Sequence, residues 1–399
     1  MKRHVTIAAI ATAILLLSIS LIKLHSSSVP SLQSELLLAV RENPSLPYTN
    51  NTAQETSPGM VYTFNIEGRV ALVADAKLIR QILTAIAPSN KKPIIIPHVL
   101  GQESAYVIVP MSINGKTIPF IYLEPVKETG ISEKDMANIA RRAVIAAKEQ
   151  QEALLADNEK AVNKVGIKRN IGITSVSATY GVELVTVIEY NSQDNYAPMG
   201  RIKVAYRVYK VVSEVDPQKD YYIVVQHATA YPGYLLNKLG LTNYDSSWEI
   251  NYIGESAAVD IDSTTVFTID DYDPNNSLDK YNDINTYTFA YTAGPAPSIG
   301  VTVTYEMQAF RLLVLDAGED YVVWLWDLNR EDYHDKGVGR EQVTVEPGIF
   351  FSMNLNEAKN YNKVHQKYDI GVEFVKNRSG WFDDHVNVIL GIMLEWILQ

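Results

Sequence analysis

The sequence predicts an α+β fold in which a large antiparallel β-sandwich is the main part. Three observations predict it: an uncharged run at residues 5–22, an uninterrupted helical pattern at 133–165, and alternating apolar and polar residues over much of 171–376. In order along the chain, we expect an N-terminal membrane or signal helix, a small α+β domain, a long connecting helix, a jelly-roll-like sandwich and a C-terminal apolar helix.

Composition narrows the classes of function. The chain has no cysteine, which excludes disulfides, cysteine–zinc sites and thiol catalysis. Its net charge is -11, and no stretch dense in Lys and Arg is present to neutralise phosphates, so we expect no nucleic-acid partner. A hydrophobic content of 47% is sufficient for a sizeable core.

The N-terminus has the pattern of an export signal. Lys2 and Arg3 precede the uncharged run 5–22, so residues 1–25 are either a cleaved signal peptide or a signal-anchor helix that contacts the membrane through 5–22. The length of the run and the lack of a clear cleavage site favour an anchor with its basic end in the cytoplasm. Residues 26–58 are rich in Ser, Pro, Asn and Thr and read as a flexible tether.

An extracytoplasmic location, membrane-anchored or secreted, follows from this pattern. Three sequons in polar stretches agree with it and are candidate glycosylation sites: Asn50, Asn275 and Asn377. A cysteine-free exported protein also suggests a prokaryotic source.

Residues 59–130 form the predicted small α+β domain. A helical pattern over 76–87 follows a strand pattern, and Asn114-Gly115 between two β-rich runs predicts a hairpin with a type I′ turn. Ser132 then opens the connecting helix, assigned to residues 131–166, with Asp135 placed as in a capping box.

The predicted sandwich covers residues 170–380, and the predicted C-terminal helix covers 381–399. In the tail, polar or small residues recur every four positions, which suggests one thin polar line on an apolar helix. These residues are Asp383, Asn387, Gly391, Glu395 and Gln399. We expect this helix to pack on its own domain or to mediate self-association with a neighbouring subunit.

One loop has the oxygen spacing of a calcium site. In DDYDPNNSLDKYND, residues 270–283, oxygen-bearing side chains recur at alternate positions, as ligands do around one hard cation. The candidate ligands are Asp271, Asp273, Asn275, Ser277 and Asp279. The loop has Asn276 where calcium loops have glycine, and Asn282 where they have a bidentate Glu, so a solvated acidic loop is the alternative.

Two tryptophans raise the question of a carbohydrate ligand. Trp324 and Trp326 are two residues apart and share one face of a predicted strand. On an exposed face they could stack on sugar rings, and on an inner face they would belong to the core. The neighbouring Val323 and Leu325 favour a central strand and therefore the core.

The segment TYTFAYTAGPAPSIGVTVTYEMQ, residues 286–308, predicts a β-hairpin with one apolar and one small polar face. A membrane-inserting hairpin has the same pattern, with one face towards lipid and the other towards a pore. Residues 297–328 resemble stretches of the leukocidin/haemolysin pore-forming toxins. The resemblance covers a small part of the chain and includes no diagnostic motif, so it assigns no residue a role.

Catalytic signatures are largely missing from the sequence, which has no H-E-x-x-H, G-x-S-x-G or P-loop pattern. We therefore expect a non-enzymatic cell-surface protein with a binding, adhesion or structural role in an envelope or filament. One alternative is a secreted hydrolase acting on polysaccharide or peptide, and a second is the membrane-active hairpin protein. The hydrolase would use a charged cluster: Asp327, Glu331, Asp332, His334 and Asp335.

Overall fold

The structure is a computed structural model of the 399-residue chain. The described residues are 48–49, 61–74, 76–86, 93–126, 131–162, 177–178, 182–212, 216–275, 277–282, 285–286, 301–302, 306–307, 310–328, 338–376 and 384–398.

Strands dominate these residues, at 59% against 17% for helices. The strands are β1 (Tyr48–Thr49), β2 (Val61–Ile66), β3 (Arg69–Ala74), β4 (Ile94–Val99), β5 (Ser104–Ile113), β6 (Lys116–Pro125), β7 (Ser177–Ala178), β8 (Val182–Asn191), β9 (Gly200–Val211), β10 (Lys219–Pro232), β11 (Trp248–Ala258), β12 (Phe267–Asp273), β13 (Leu278–Asn282), β14 (Asn285–Thr286), β15 (Val301–Thr302), β16 (Glu306–Met307), β17 (Phe310–Ala317), β18 (Tyr321–Asp327), β19 (Val343–Val345), β20 (Gly348–Asn354), β21 (Lys363–Lys376) and β22 (Asp384–Ile397). The helices are α1 (Ala76–Ile86), α2 (Glu133–Val162), α3 (Gly233–Lys238) and α4 (Leu355–Ala358), with a 3-10 turn at Val338–Arg340.

The predicted α+β class is therefore wrong, because the chain is mostly β. It folds as two compact units: the first takes its described residues from Met1–Ile94 and Glu103–Gln151, and the second from Ile95–Gln102 and Glu152–Gln399. Among the residues that the structure describes, no helix is both long and apolar enough to cross a membrane. The candidate membrane segment 5–22 and most of the tether 26–58 lie outside the described residues.

The first unit contains a sheet with the strand order β1-β2-β3-β5-β6. Asn114 and Gly115 have φ values of 51° and 76°, and Ile113 pairs with Lys116, so the Asn-Gly turn forms the hairpin that the sequence predicts. Helix α1 buries Leu78, Ile79, Ile82 and Leu83, which recur at helical spacing.

Helix α2 is a packed element of the first unit over residues 133–151, so the predicted long connecting helix is wrong. Its buried residues follow helical spacing along one stripe: Met136, Ile139, Ala140, Ala143, Val144 and Ala147. At its start, the Asp135 N–H donates to Ser132 Oγ at 3.1 Å, which satisfies one of the free donors of the first turn. The Arg142 Nε–H donates to Glu124 Oε2 at 2.8 Å and ties the helix to β6.

The second unit has two sheets, which agrees with the predicted β-sandwich. One has the order β8-β9-β10-β20-β12, with β19 also beside β10, and the other has the order β13-β17-β18-β11-β21-β22-β4. Aromatic rings meet between the sheets: the Tyr222 and Trp396 centroids are 5.1 Å apart, and those of Tyr206 and Tyr368 are also 5.1 Å apart. The core of the unit therefore lies between its two sheets.

The C-terminal segment is a strand, so the predicted C-terminal helix is wrong. β22 pairs with β21 along its whole length, from Lys376↔Asp384 to Lys363↔Ile397. Its buried residues alternate with period two: Val388, Leu390, Ile392, Leu394 and Trp396. The four-residue spacing of the polar line misled the prediction, because four is a multiple of two and also keeps residues on one face of a strand. Self-association through a C-terminal helix is withdrawn with the helix.

Candidate functional site

An extended hairpin begins at one edge of the second sheet. β13 is the edge strand, and it pairs antiparallel with β17 through Leu278↔Leu312 and Asn282↔Phe310. Beyond this base, β14 pairs antiparallel with β16 through Asn285↔Met307 and Thr286↔Glu306. The pairs Asn282↔Phe310 and Asn285↔Met307 have the same register, because each arm advances by three residues from one pair to the other.

Further from the base, the second arm has another partner. β15 pairs antiparallel with β7 through Val301↔Ala178 and Thr302↔Ser177. This pairing occupies one hydrogen-bonding edge of the second arm at residues 301 and 302.

The base of the hairpin is anchored by side-chain hydrogen bonds. The Trp324 Nε1–H donates to the Pro274 carbonyl at 2.8 Å, and the Val314 N–H donates to Ser277 Oγ at 2.8 Å. These bonds fix the chain where it passes from β12, the edge of one sheet, to β13, the edge of the other.

The first residues of the calcium candidate lie at the end of β12. Burial raises the pKa of Asp271, and burial together with the charge of Asp271 raises the pKa of Asp273 to about 7. Asn275 and Ser277 are exposed, and Asp279 lies in β13 with its side chain outside the described part. Among the described residues, no group of three or more His, Asp or Glu side chains is arranged to hold a metal ion. Calcium binding stays a prediction.

No family model matches this chain, and no curated protein matches it. The solved structures that are similar to it at a low level include the following three. Clostridium perfringens delta-toxin has a TM-score of 0.36 and 8% identity, over 58% of this chain and 96% of that chain. A structure titled "Pore forming protein" has a TM-score of 0.33 and 10% identity, over 57% and 94%. The Clostridium perfringens NetB toxin in the membrane-inserted form has a TM-score of 0.26 and 8% identity, over 52% and 95%. TM-scores this low establish neither a shared fold nor a shared function.

The two candidate tryptophans belong to the core. Trp324 and Trp326 are both 0% exposed, so neither ring can stack on a sugar in this conformation. Of the charged cluster proposed for a hydrolase, Asp327 ends β18, and the other four residues lie outside the described part. Of the three sequons, Asn275 is exposed, while Asn50 and Asn377 lie outside the described residues.

The structure also assembles a charged cluster that sequence reasoning missed. Glu395 of β22 is 2% exposed, and its Oε2 lies 3.2 Å from Lys363 Nζ and 3.4 Å from His365 Nε2. The His365 Nδ1 lies 2.9 Å from an oxygen of Asp262, which fixes the ring between two carboxylates. Lys363 and His365 lie on β21, and the pairing of β21 with β22 places Glu395 opposite His365. Glu395 and Asp262 are both distant in sequence from these two residues, so no local pattern could have indicated the cluster.

Proposed function

We propose that the chain is an extracytoplasmic protein that acts on membranes by inserting the hairpin that begins at β13 and β17. The observation that carries the proposal is the register at the base of the hairpin, taken together with the sequence of residues 286–308. A connection of this length between two paired neighbouring strands is uncommon, and such connections usually have a function.

If the register at the base is continued along both arms, their side chains fall on two chemically different faces of the hairpin. Apolar residues come to lie opposite apolar residues: Tyr287 and Tyr305, Phe289 and Val303, Tyr291 and Val301. Small or polar residues fill the other face: Thr286 and Glu306, Thr288 and Thr304, Ala290 and Thr302. A slip of one residue in one arm would mix the two sets, so the sequence suits this register in particular.

The projected length also suits a membrane. The arms would meet at residue 296, inside the turn sequence AGPAPS at 293–298. From the ends of β13 and β17 to that turn, the arms would have 10 and 11 residues, 283–292 and 299–309, which is the length of a transmembrane β-strand. The apolar face would contact lipid, and the face of Thr and Ala would line water.

Insertion has two physical requirements. A lone hairpin leaves the outer backbone groups of both arms without hydrogen bonds in lipid, so several copies must close a barrel together. The second arm must also leave its position in this structure, where Val301 and Thr302 pair with β7. We therefore propose that β7 retains the second arm until assembly.

Dye release from liposomes tests the proposal with one matched pair of variants. We expect the full chain to release dye, and F289R to slow release on the order of tenfold or more, because an arginine on the lipid-facing side costs about 2–4 kcal/mol near the midplane. T288R adds the same charge one residue away on the water-facing side and should retain release. Equal effects of the two variants would refute the projected faces, and no release from neutral or anionic liposomes would refute the function.

A binding, adhesion or structural role, and a secreted hydrolase, remain predictions from the sequence. No contact among the described residues favours either one over the membrane-active hairpin, so we do not propose them. The extracytoplasmic location rests on the N-terminal export pattern and on what the hairpin proposal requires.

A further inference from the structure

Three polar side chains lie between the two sheets of the second unit with unmet hydrogen-bonding capacity. Tyr206 of β9 and Gln226 of β10 are 0% exposed, and Glu255 of β11 is 2% exposed. Within the described part of the chain, the Tyr206 hydroxyl, both amide atoms of Gln226 and both carboxyl oxygens of Glu255 have no hydrogen-bond partner. Such groups are rare in folded proteins and cost about 1–3 kcal/mol each when neutral.

Strand pairing places two of the three side chains next to each other. Gln226 lies directly opposite Tyr206 in the β9–β10 pair. In the facing sheet, Glu255 lies opposite Trp324 on one side and Ile370 on the other. The carboxyl group of Glu255 therefore has apolar neighbours within its own sheet, while the polar pair Tyr206 and Gln226 belongs to the facing sheet.

The ionisable groups near Glu255 do not offset a negative charge. Burial first, and the charge of Glu346 second, raise the pKa of Glu255 well above its usual value. Glu346 is itself hydrogen-bonded to His227 Nδ1. The hydroxyl of Tyr368, whose ring packs on Tyr206, donates to Gln366 Oε1 at 2.8 Å. Burial first, and then the charges of Glu255, Tyr368 and Asp369, raise the pKa of Tyr206. No lysine or arginine described in the structure forms an ion pair with Glu255.

We propose that Glu255, Tyr206 and Gln226 form a proton-controlled lock between the two sheets. While Glu255 carries its proton, its uncharged carboxyl is tolerated at the interface and can donate a hydrogen bond towards the polar pair of the other sheet. When the proton leaves, an unpaired carboxylate remains in a medium of low dielectric, and the sheets loosen to hydrate it. The lock does not depend on the hairpin proposal, since it lies in the core of the unit.

The sign of the pH effect follows from linkage. Between the ordinary pKa of glutamate and the raised pKa in the folded protein, the folded state holds a proton that the unfolded state has lost. Stability from this group is therefore complete below the ordinary glutamate pKa and is lost as pH rises through the folded value. Within that window the unfolding equilibrium constant should rise up to about tenfold per pH unit for this one proton.

Denaturant unfolding between pH 4 and pH 9 tests the lock by comparing the wild type with E255Q. Glutamine has the same shape as glutamate and no charge. E255Q should therefore lose the part of the pH dependence of the unfolding free energy that comes from the proton on Glu255. It should become more stable than the wild type as pH rises. E319Q, which changes an exposed glutamate, should follow the wild type. If the E255Q curve runs parallel to the wild-type curve, the proposal is overturned.

A second measurement addresses the interface directly and remains valid if E255Q folds poorly. Infrared difference spectra of the wild type across the same pH range should show the carbonyl band of a protonated, buried carboxylic acid persisting after exposed carboxyls have ionised. The near-ultraviolet circular dichroism of the core aromatic rings, including Trp324 beside Glu255, should change as that band disappears. Absence of the band, or its loss with no change in the aromatic signal, would also overturn the proposal.

Discussion

The mutation W396A is the sharpest test of the C-terminal strand. Trp396 is 0% exposed, and its ring centroid lies 5.1 Å from that of Tyr222, 5.3 Å from Phe267 and 5.6 Å from Phe351. These three rings lie on β10, β12 and β20 of the opposite sheet, so Trp396 packs β22 against the core between the two sheets. A large-to-small change of a buried tryptophan costs about 3–5 kcal/mol. Each lost aromatic pair adds about 0.5–1.5 kcal/mol beyond the buried area, which favours the top of that range.

Urea unfolding monitored by far-ultraviolet circular dichroism gives the change in free energy directly. For a unit of this size, each kcal/mol lowers Tm by about 2–4 °C, so thermal unfolding should show a drop on the order of 10 °C or more. I389A is the matched control, because Ile389 lies on the same strand, faces outward and is 74% exposed. It should change stability by no more than about 0.5 kcal/mol. W396F keeps part of the ring contact and should lie between the two.

The placement of β22 would be refuted if W396A and I389A had similar small effects. If the tail were a helix with its apolar side against the domain, mutating Ile389 to alanine would cost at least as much stability as mutating its apolar neighbours. The contrast between W396A and I389A therefore distinguishes a strand from a helix. If W396A is too unstable to purify, W396F against I389A preserves the comparison.

Two further changes test the sandwich and the acidic loop. G200A should destabilise the second unit by about 1–3 kcal/mol in urea unfolding, because a Cβ at Gly200 would lie 2.3 Å from Phe374 Cε1 and 2.5 Å from the Tyr231 carbonyl oxygen. G254A is the control: the atom nearest to a Cβ at Gly254 would be 3.6 Å away, so this change should cost less stability. The pKa of Asp273 is raised to about 7 in the folded protein, so the folded state keeps this proton at pH values where the unfolded state has lost it. The wild type should therefore lose stability as pH rises from about 4 to about 7, and D273N should not show this loss. An unchanged pH profile in D273N would contradict this. Calcium would favour the ionised carboxyl, so a Tm that is equal in chelator and in millimolar calcium for wild type and D273N alike would end the calcium prediction.

Sequence patterns predicted the structure correctly where residues close together in the chain allow only one local structure. Asn114-Gly115 needs a turn with positive φ at both residues, and the hairpin β5–β6 forms there. The apolar residues on both faces of Tyr321–Asp327 indicated a central strand, and Trp324 and Trp326 are indeed buried. In each case the decisive residues are neighbours in sequence, so no distant partner is needed.

Sequence patterns failed where two structures satisfy the same spacing, or where the partners are distant. The alternation that makes β22 a strand coexists with a four-residue polar line that suits a helix, and pairing with β21 decides between them. The residues next to Glu255 in the sequence do not indicate that its face of β11 is the inner one. The charged cluster at Glu395 and the unpartnered group at Glu255 both depend on which strands meet.

By itself, the sequence determined that this is a cysteine-free, acidic chain with an export-like N-terminus, a large β-rich body and an alternating pattern of apolar and small or polar residues at 286–308. These properties follow from composition and from residues a few positions apart. Only the tertiary structure decided that the apolar tail is a strand in the core, that α2 packs in the first unit, and that a carboxyl group lies unpaired between two sheets. The physical reason is that burial and hydrogen bonding in a sheet come from residues distant in sequence, whose pairing no local pattern encodes.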